Sequence, residues 1–404
     1  KVVYELGGEL RLWDVKAKVE NAIAITVPSD GLASRPARVS AEKNIESAGL
    51  SPKGERALFV ARGDVFTAPI EKGATRNLTR SSNAHDKRAT WSPDGKTILF
   101  VSDRSGEEQL WTVPQDGSAK PKPLTTTFGS MLSTPVFSPD GARIAVSDKD
   151  GKLFVVTAAD GKAVEIADDR FGGLTDYAWS PDGAFLAFSM GEQSGMRVLH
   201  VYGLADGKVR KVTSEMFSSY SPAWDPEGKV LWFLSNREFA PQISDLEWNY
   251  AGNRRTGVFG LALRRDVADP FGPESDEVSA GDAKKDDPKD GAKEKDADAK
   301  KGDGKEAKKE AAKAPKPVAI DWDGLAARVV RVPVDADNYS DLAATKEALL
   351  YTRESAEFYG RDPEKKPALV IFDLKKREDS ELVADVDGWA LSDDGSKVLV
   401  RSAG

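Results

Sequence analysis

Short apolar runs alternate with clusters of Gly, Asp, Pro and Ser along most of this 404-residue chain. Runs of that kind bounded by turn residues read as β-strands, and no sustained 3.6-residue apolar period competes with them. One turn recurs. Trp91-Ser92-Pro93-Asp94-Gly95 has counterparts at Ser51-Pro52-Lys53-Gly54, Phe137-Ser138-Pro139-Asp140-Gly141 and Trp179-Ser180-Pro181-Asp182-Gly183. Further copies are Trp224-Asp225-Pro226-Glu227-Gly228 and Leu391-Ser392-Asp393-Asp394-Gly395. From Ser51 to Asp225 the copies stand 41, 46, 42 and 45 residues apart, so a repeat governs the fold. Pro presets φ, Asp bonds its own backbone and Gly takes positive φ, so each copy predicts a tight hairpin between two apolar strands.

Two more strands follow each hairpin, and four antiparallel strands in such a period predict one β-propeller blade. The expected fold is therefore all-β, a seven-bladed β-propeller of four-stranded antiparallel blades. The blades are expected over about residues 46–80, 86–125, 132–167, 174–213, 219–334 (interrupted) and 338–385. The sixth replaces the Pro-Asp-Gly turn by Thr345-Lys346-Glu347. A closing blade is expected from 387–404 joined by 1–27, whose predicted strands are Val2–Leu6, Glu9–Val15 and Ile23–Val27, since ring closure removes unpaired edges. Lys1 in place of an initiating Met reads as a chain processed or cut from a longer protein.

Within the fifth blade, residues 274–317 hold no aromatic residue and balance 12 Lys against 13 acidic residues. Such a stretch buries too little apolar surface to offset ordering, so it is expected as a disordered, solvated insertion. Across the chain, 40 % apolar and 31 % charged residues are ordinary for a globular protein, and no apolar run is long enough for a membrane helix. A net charge of −8 argues against nucleic acid and anionic membrane as partners.

Candidate chemistry is sparse. Zero Cys excludes disulfides, thiolate metal sites and a cysteine nucleophile. His85 and His200 are the two histidines, in different blades, and neither accompanies a nucleophile motif. Gly49-Leu50-Ser51-Pro52-Lys53 lacks the second Gly of a nucleophile elbow. Asp148-Lys149-Asp150-Gly151 and Asp393-Asp394-Gly395 offer too few spaced oxygens for Ca²⁺, so no metal and no cofactor is expected. Propeller function usually sits in loops at one channel mouth. The loops entering first strands and those joining second to third strands share a mouth. They nominate His85, Asp86, Arg88, Asp103, Arg104, Asp176, Tyr177, Tyr220 and Arg237 as contacts for peptide backbone and termini.

With Leu110–Pro114 and Pro123–Thr125 downstream, the repeated turn resembles TolB-type and tricorn-type propellers. Gly63–Pro69 with Arg76–Arg80 looks like the opening of the seven-bladed propeller of tricorn proteases. Asp321–Val330 with Asn338-Tyr339-Ser340, and Phe233–Phe239 with Trp248-Asn249-Tyr250, are similar to later parts of that domain. The resemblance implies a non-catalytic propeller that passes peptides or unfolded polypeptide to a serine-peptidase domain beyond residue 404. It also implies a PDZ-like module in the same polypeptide and a cytoplasmic location. Further copies of the chain in a homo-oligomer are an additional expected partner, and a periplasmic location stays open without the native N-terminus. The alternative is a TolB-like protein-interaction scaffold with no enzymatic domain.

Overall fold

A computed structural model describes all residues except 27, 29–38, 172, 239–253, 273–315, 355–364 and 403–404. The predicted insertion and the aromatic positions Phe239, Trp248 and Tyr250 thus lie outside the described residues, apart from Lys316 and Pro317. The chain divides into two units, Lys1–Lys43 and Asn44–Gly404.

In the first unit, β1 (Val2–Leu6), β2 (Glu9–Asp14) and β3 (Val19–Ala22) form an antiparallel three-stranded sheet. The third strand thus lies ahead of the predicted Ile23–Val27. Lys18 takes φ +53° in the turn and lets the chain reverse earlier, so the more polar Val19–Ala22 pairs with Arg11–Asp14.

The second unit is the propeller. Its first blade is β4 (Ile45–Leu50), β5 (Arg56–Ala61), β6 (Asp64–Pro69) and β7 (Arg76–Asn77). The second is β8 (Asp86–Trp91), β9 (Thr97–Ser102), β10 (Gln109–Pro114) and β11 (Lys122–Pro123). The third is β12 (Val136–Phe137), β13 (Arg143–Ser147), β14 (Lys152–Thr157) and β15 (Ala163–Asp168). The fourth is β16 (Tyr177–Trp179), β17 (Phe185–Gly191), β18 (Arg197–Gly203) and β19 (Lys208–Lys211). The fifth is β20 (Ser219–Trp224), β21 (Val230–Ser235), β22 (Gly257–Ala262) and β23 (Val329–Arg331). The sixth is β24 (Asn338–Ala344), β25 (Ala348–Glu354), β26 (Ala368–Asp373) and β27 (Glu378–Ala384), and β28 (Val386–Leu391) with β29 (Val398–Ser402) makes a two-stranded seventh.

The middle strands carry the core because both their faces meet neighbouring blades. Ile98, Leu99, Phe100 and Val101 are all fully buried, as are Leu231, Phe233 and Leu234. Cores form between blades: Leu58 and Val60 of the first pack with Trp91 and Phe100 of the second, and Trp232 of the fifth packs with Tyr351 and Phe372 of the sixth. First strands sit innermost, β4 beside β8, β16 beside β20, β20 beside β24 and β28 beside β4. The ring therefore closes by packing. Lys397 Nζ donates to the Gly54 carbonyl at 3.2 Å and Arg401 Nη1 to the Ile45 carbonyl at 3.3 Å.

The recurring turn is a small machine of two side chains. Ser92 Oγ donates to Asp94 Oδ1 at 2.6 Å, while the Lys96 and Thr97 amides donate back to Asp94 Oδ1 and Ser92 Oγ at 3.0 Å. Gly95 takes φ +70°, a left-handed conformation that costs glycine nothing. Indoles at first-strand ends tie blade to blade: Trp179 Nε1 donates to the Val136 carbonyl at 3.1 Å and Trp224 Nε1 to the Ala178 carbonyl at 3.0 Å.

Candidate functional site

At the opposite end of the blades, each innermost strand begins beside the end of its second strand. Pairing brings Asp86 opposite Ser102 in the second blade and Ser219 opposite Ser235 in the fifth. In the fourth blade the same place holds Asp176 beside Ser189, whose amide donates to the Asp176 carbonyl at 3.4 Å. The mouth is built on these pairs.

In the second blade Asp86 is fully buried and accepts both Oδ bonds from Arg104 Nη2 at 2.7 Å, with Ser81 Oγ at 2.8 Å. Arg104 Nε donates to Ser102 Oγ at 2.9 Å, and its guanidinium lies 5.0 Å from the Trp111 ring and 5.5 Å from the Phe100 ring. A buried carboxylate is tolerable only with such pairing and hydrogen bonds. Asp103 Oδ1 takes the His85 amide at 2.7 Å, while the exposed His85 ring stands 3.7 Å from Glu46. Arg88 sits at a bulge in β8 with φ +53°.

In the fourth blade Asp176 accepts from Ser189 Oγ at 2.5 Å and from the Ser221 amide of the next blade at 2.7 Å, with Arg197 at 3.6 Å. Burial raises its carboxyl above the ordinary range against those bonds. Tyr177, also raised by burial, bonds Ser133 Oγ at 2.7 Å and the Thr134 carbonyl, both of the third blade's approach. Tyr220 donates to Asn236 Oδ1 at 2.9 Å and meets Thr256 Oγ1 at 3.1 Å. Arg237 donates Nε to Ser235 Oγ at 3.1 Å and stacks on Phe259, Phe233 and Phe217 at 4.9, 5.5 and 5.9 Å.

Of the nine nominated residues, the structure joins Asp86 to Arg104 and His85 to Asp103. Asp176 and Tyr177 turn to separate networks, one reaching the fifth blade and the other the third, and Tyr220 and Arg237 to those of the fifth. Sequence reasoning missed Ser102, Ser189 and Ser235, although one signal marks them: each stands at or near the end of an apolar second strand. It also missed Arg197, whose role depends on a cross-strand partner. His200 is buried, with Nδ1 3.0 Å from the Val198 carbonyl and Nε2 3.3 Å from Glu192. Among the described residues no cluster of His, Asp and Glu could hold a metal, and no helix is long and apolar enough to cross a membrane.

The family model of the tricorn protease second beta propeller domain matches residues 45–404, the whole propeller unit. The chain belongs to that family. Tricorn protease homolog 1 of Streptomyces coelicolor is 28 % identical over 421 residues, covering 100 % of this chain and 37 % of the relative. The tricorn protease homolog of Saccharolobus solfataricus is 23 % identical over 413 residues, covering 99 % of this chain and 33 % of the relative. The crystal structure of the tricorn protease superposes with TM-score 0.69 at 18 % identity over 99 % of this chain and 36 % of that one. This chain thus spans about a third of its tricorn relatives. A TolB homolog of Chlorobium chlorochromatii is 30 % identical over 187 residues, but only 44 % of this chain takes part.

Proposed function

We propose that this propeller is the non-catalytic, substrate-guiding part of a tricorn-like serine peptidase. It gates or channels peptides and unfolded polypeptide to a catalytic domain elsewhere in the same polypeptide, in a cytoplasmic homo-oligomer. The observation that carries this reading is the family match over the entire propeller, joined to a mouth whose polar groups are, Arg237 excepted, largely hydrogen-bonded to one another. Groups so engaged make a rigid rim; a nucleophile and its base would need to face each other with a reacting atom between them. The TolB-like scaffold has less behind it, because that similarity spans under half of the chain.

The test is peptidase activity of the full polypeptide, with fluorogenic peptides of increasing length and a serine-directed inhibitor. Ala48 is exposed on the innermost strand β4, in a cleft shared with Gly388 and Trp389 of β28, so Ala48→Trp adds bulk at the inner edge of the ring. Hydrolysis of long peptides is expected to slow while that of the shortest stays near wild type. Equal rates at every length overturn the channel reading.

A further inference from the structure

The networks at the mouth occupy equivalent positions, and laying them side by side isolates one of them. The second blade places Asp86 opposite Ser102, with Arg104 two residues further on. In the fifth blade Ser219 stands opposite Ser235, with Arg237 two residues further on. The sequences repeat this, Ser102-Asp103-Arg104 against Ser235-Asn236-Arg237. Both guanidiniums donate Nε to their strand-end Ser, at 2.9 and 3.1 Å, and both lie on aromatic rings. The difference is the anion. Arg104 holds a buried carboxylate in two 2.7 Å bonds, whereas Ser219, fully buried where Asp86 would stand, brings only a hydroxyl, 3.1 Å from Ser235 Oγ.

Other blades avoid such a remainder. Arg197 of the fourth has Asp176, and in the sixth Glu354 accepts from Ser340 Oγ at 2.6 Å. Arg237 alone among these keeps both Nη groups without a carboxylate partner among the described residues, and burial pushes its guanidinium below the ordinary value with no anion to offset it. Three rings and Ser235 hold the fork in place while the residue remains only half-buried, so an approaching anion meets preorganised donors.

We propose that Arg237, its Nε held by the Ser235 hydroxyl, is a receptor for a carboxylate of a bound peptide, which answers its Nη groups as Asp86 answers Arg104 in the second blade. The carboxylate is either the peptide's C-terminus or an Asp or Glu side chain. Peptide as carrier rests on the function proposed above; the anion site rests on the comparison of the two blades. Arg suits it better than Lys because a planar fork matches a carboxylate in two bonds.

Calorimetric titration of the full polypeptide with three peptides tests it. One is a neutral, C-terminally amidated decapeptide, one the same peptide with a free C-terminus, and one the amidated peptide with a single internal Glu. At least one carboxylate-bearing peptide is expected to bind roughly ten-fold tighter than the neutral amide, the scale of one charge-assisted bond. Which one does so identifies the source. Arg237→Lys should weaken the preference. Ser219→Asp should abolish it and raise the unfolding midpoint, because the pair of the second blade would then be complete within the fifth. Equal affinities for all three peptides, no binding by any, or a preference that survives Ser219→Asp overturns the proposal. The channel reading is judged separately, by the length dependence in Ala48→Trp.

Discussion

The two ends of the propeller blades solve their problems differently. At the turn end the same knot recurs: Ser138 Oγ to Asp140, Ser180 Oγ to Asp182 and Ser392 Oγ to Asp394 lie at 2.6, 2.6 and 2.7 Å, as in the second blade. Their glycines take φ of +71°, +71° and +69°. At the mouth end the blades differ: an ion pair in the second, the Ser133 and Ser147 hydroxyls at 2.6 Å in the third, a buried acid in the fourth, and in the fifth a guanidinium with no carboxylate among the described residues. Reversing a chain between two strands is one geometric task with one cheap solution, so the turn end is uniform. The mouth has only to satisfy its polar groups, and there the seven blades can diverge.

The comparison breaks most violently at Asp86. Asp86→Ala leaves the Arg104 charge half-entombed against Trp111 and should cost about 3–5 kcal/mol in denaturant unfolding. Adding Arg104→Met should restore much of that. Arg237→Met, by contrast, removes a charge that no anion among the described residues balances, and its cost is expected to be well below that of Asp86→Ala. Equal losses would mean the two guanidiniums are equivalent after all. At the turn end, Gly95→Ala has room, since a Cβ would lie 3.7 Å from Pro52, but φ of +70° costs a non-glycine about 1 kcal/mol. The indoles give a finer contrast. Both indoles lose core volume on replacement by Phe, but Trp224→Phe also strands the Ala178 carbonyl, whereas Trp91 Nε1 has no partner among the described residues, so Trp224→Phe should cost about 1 kcal/mol more than Trp91→Phe.

The same division explains what could be read from the sequence. Turns and strands are local: Ser92, Asp94 and Gly95 form their contacts within six residues, and the blade boundaries follow from where such turns fall. In the degenerate sixth blade the turn is equally local, with Thr345 Oγ1 accepting the Ala348 amide at 3.0 Å in place of the usual motif. The mouth is not local. Asp176 takes an amide from Ser221, 45 residues on, and Tyr177 reaches back 44 residues to Ser133. Sorting residues by loop nominates one end of the blades but cannot say which side chains face one another there. The misplaced third strand of the first unit has a similar cause, because apolar content favours Ile23–Val27 over Val19–Ala22, which the turn at Lys18 commits to pairing.

The smallest expected effect separates the two ends by the sign of a pH dependence. Ser92 Oγ and the Lys96 amide hold Asp94 below the ordinary carboxylate value, and Ser392 with Ser396 does the same for Asp394. A group depressed on folding contributes stability above its unfolded pKa of about 3.9 and loses it as pH falls through the lower folded value. Asp176 is the reverse, for burial raises it. What it contributes is fully present below about pH 3.9 and is lost as pH rises towards the raised folded value. Urea midpoints from acid to neutral pH should therefore diverge in opposite directions. Relative to Asp94→Asn, the wild type loses stability as the solution is acidified; relative to Asp176→Asn, it loses stability as the solution is brought up from acid. Slopes of the same sign would show that the bonds from Ser189 and the Ser221 amide outweigh desolvation at Asp176, and the mouth acid would then behave as one more turn aspartate.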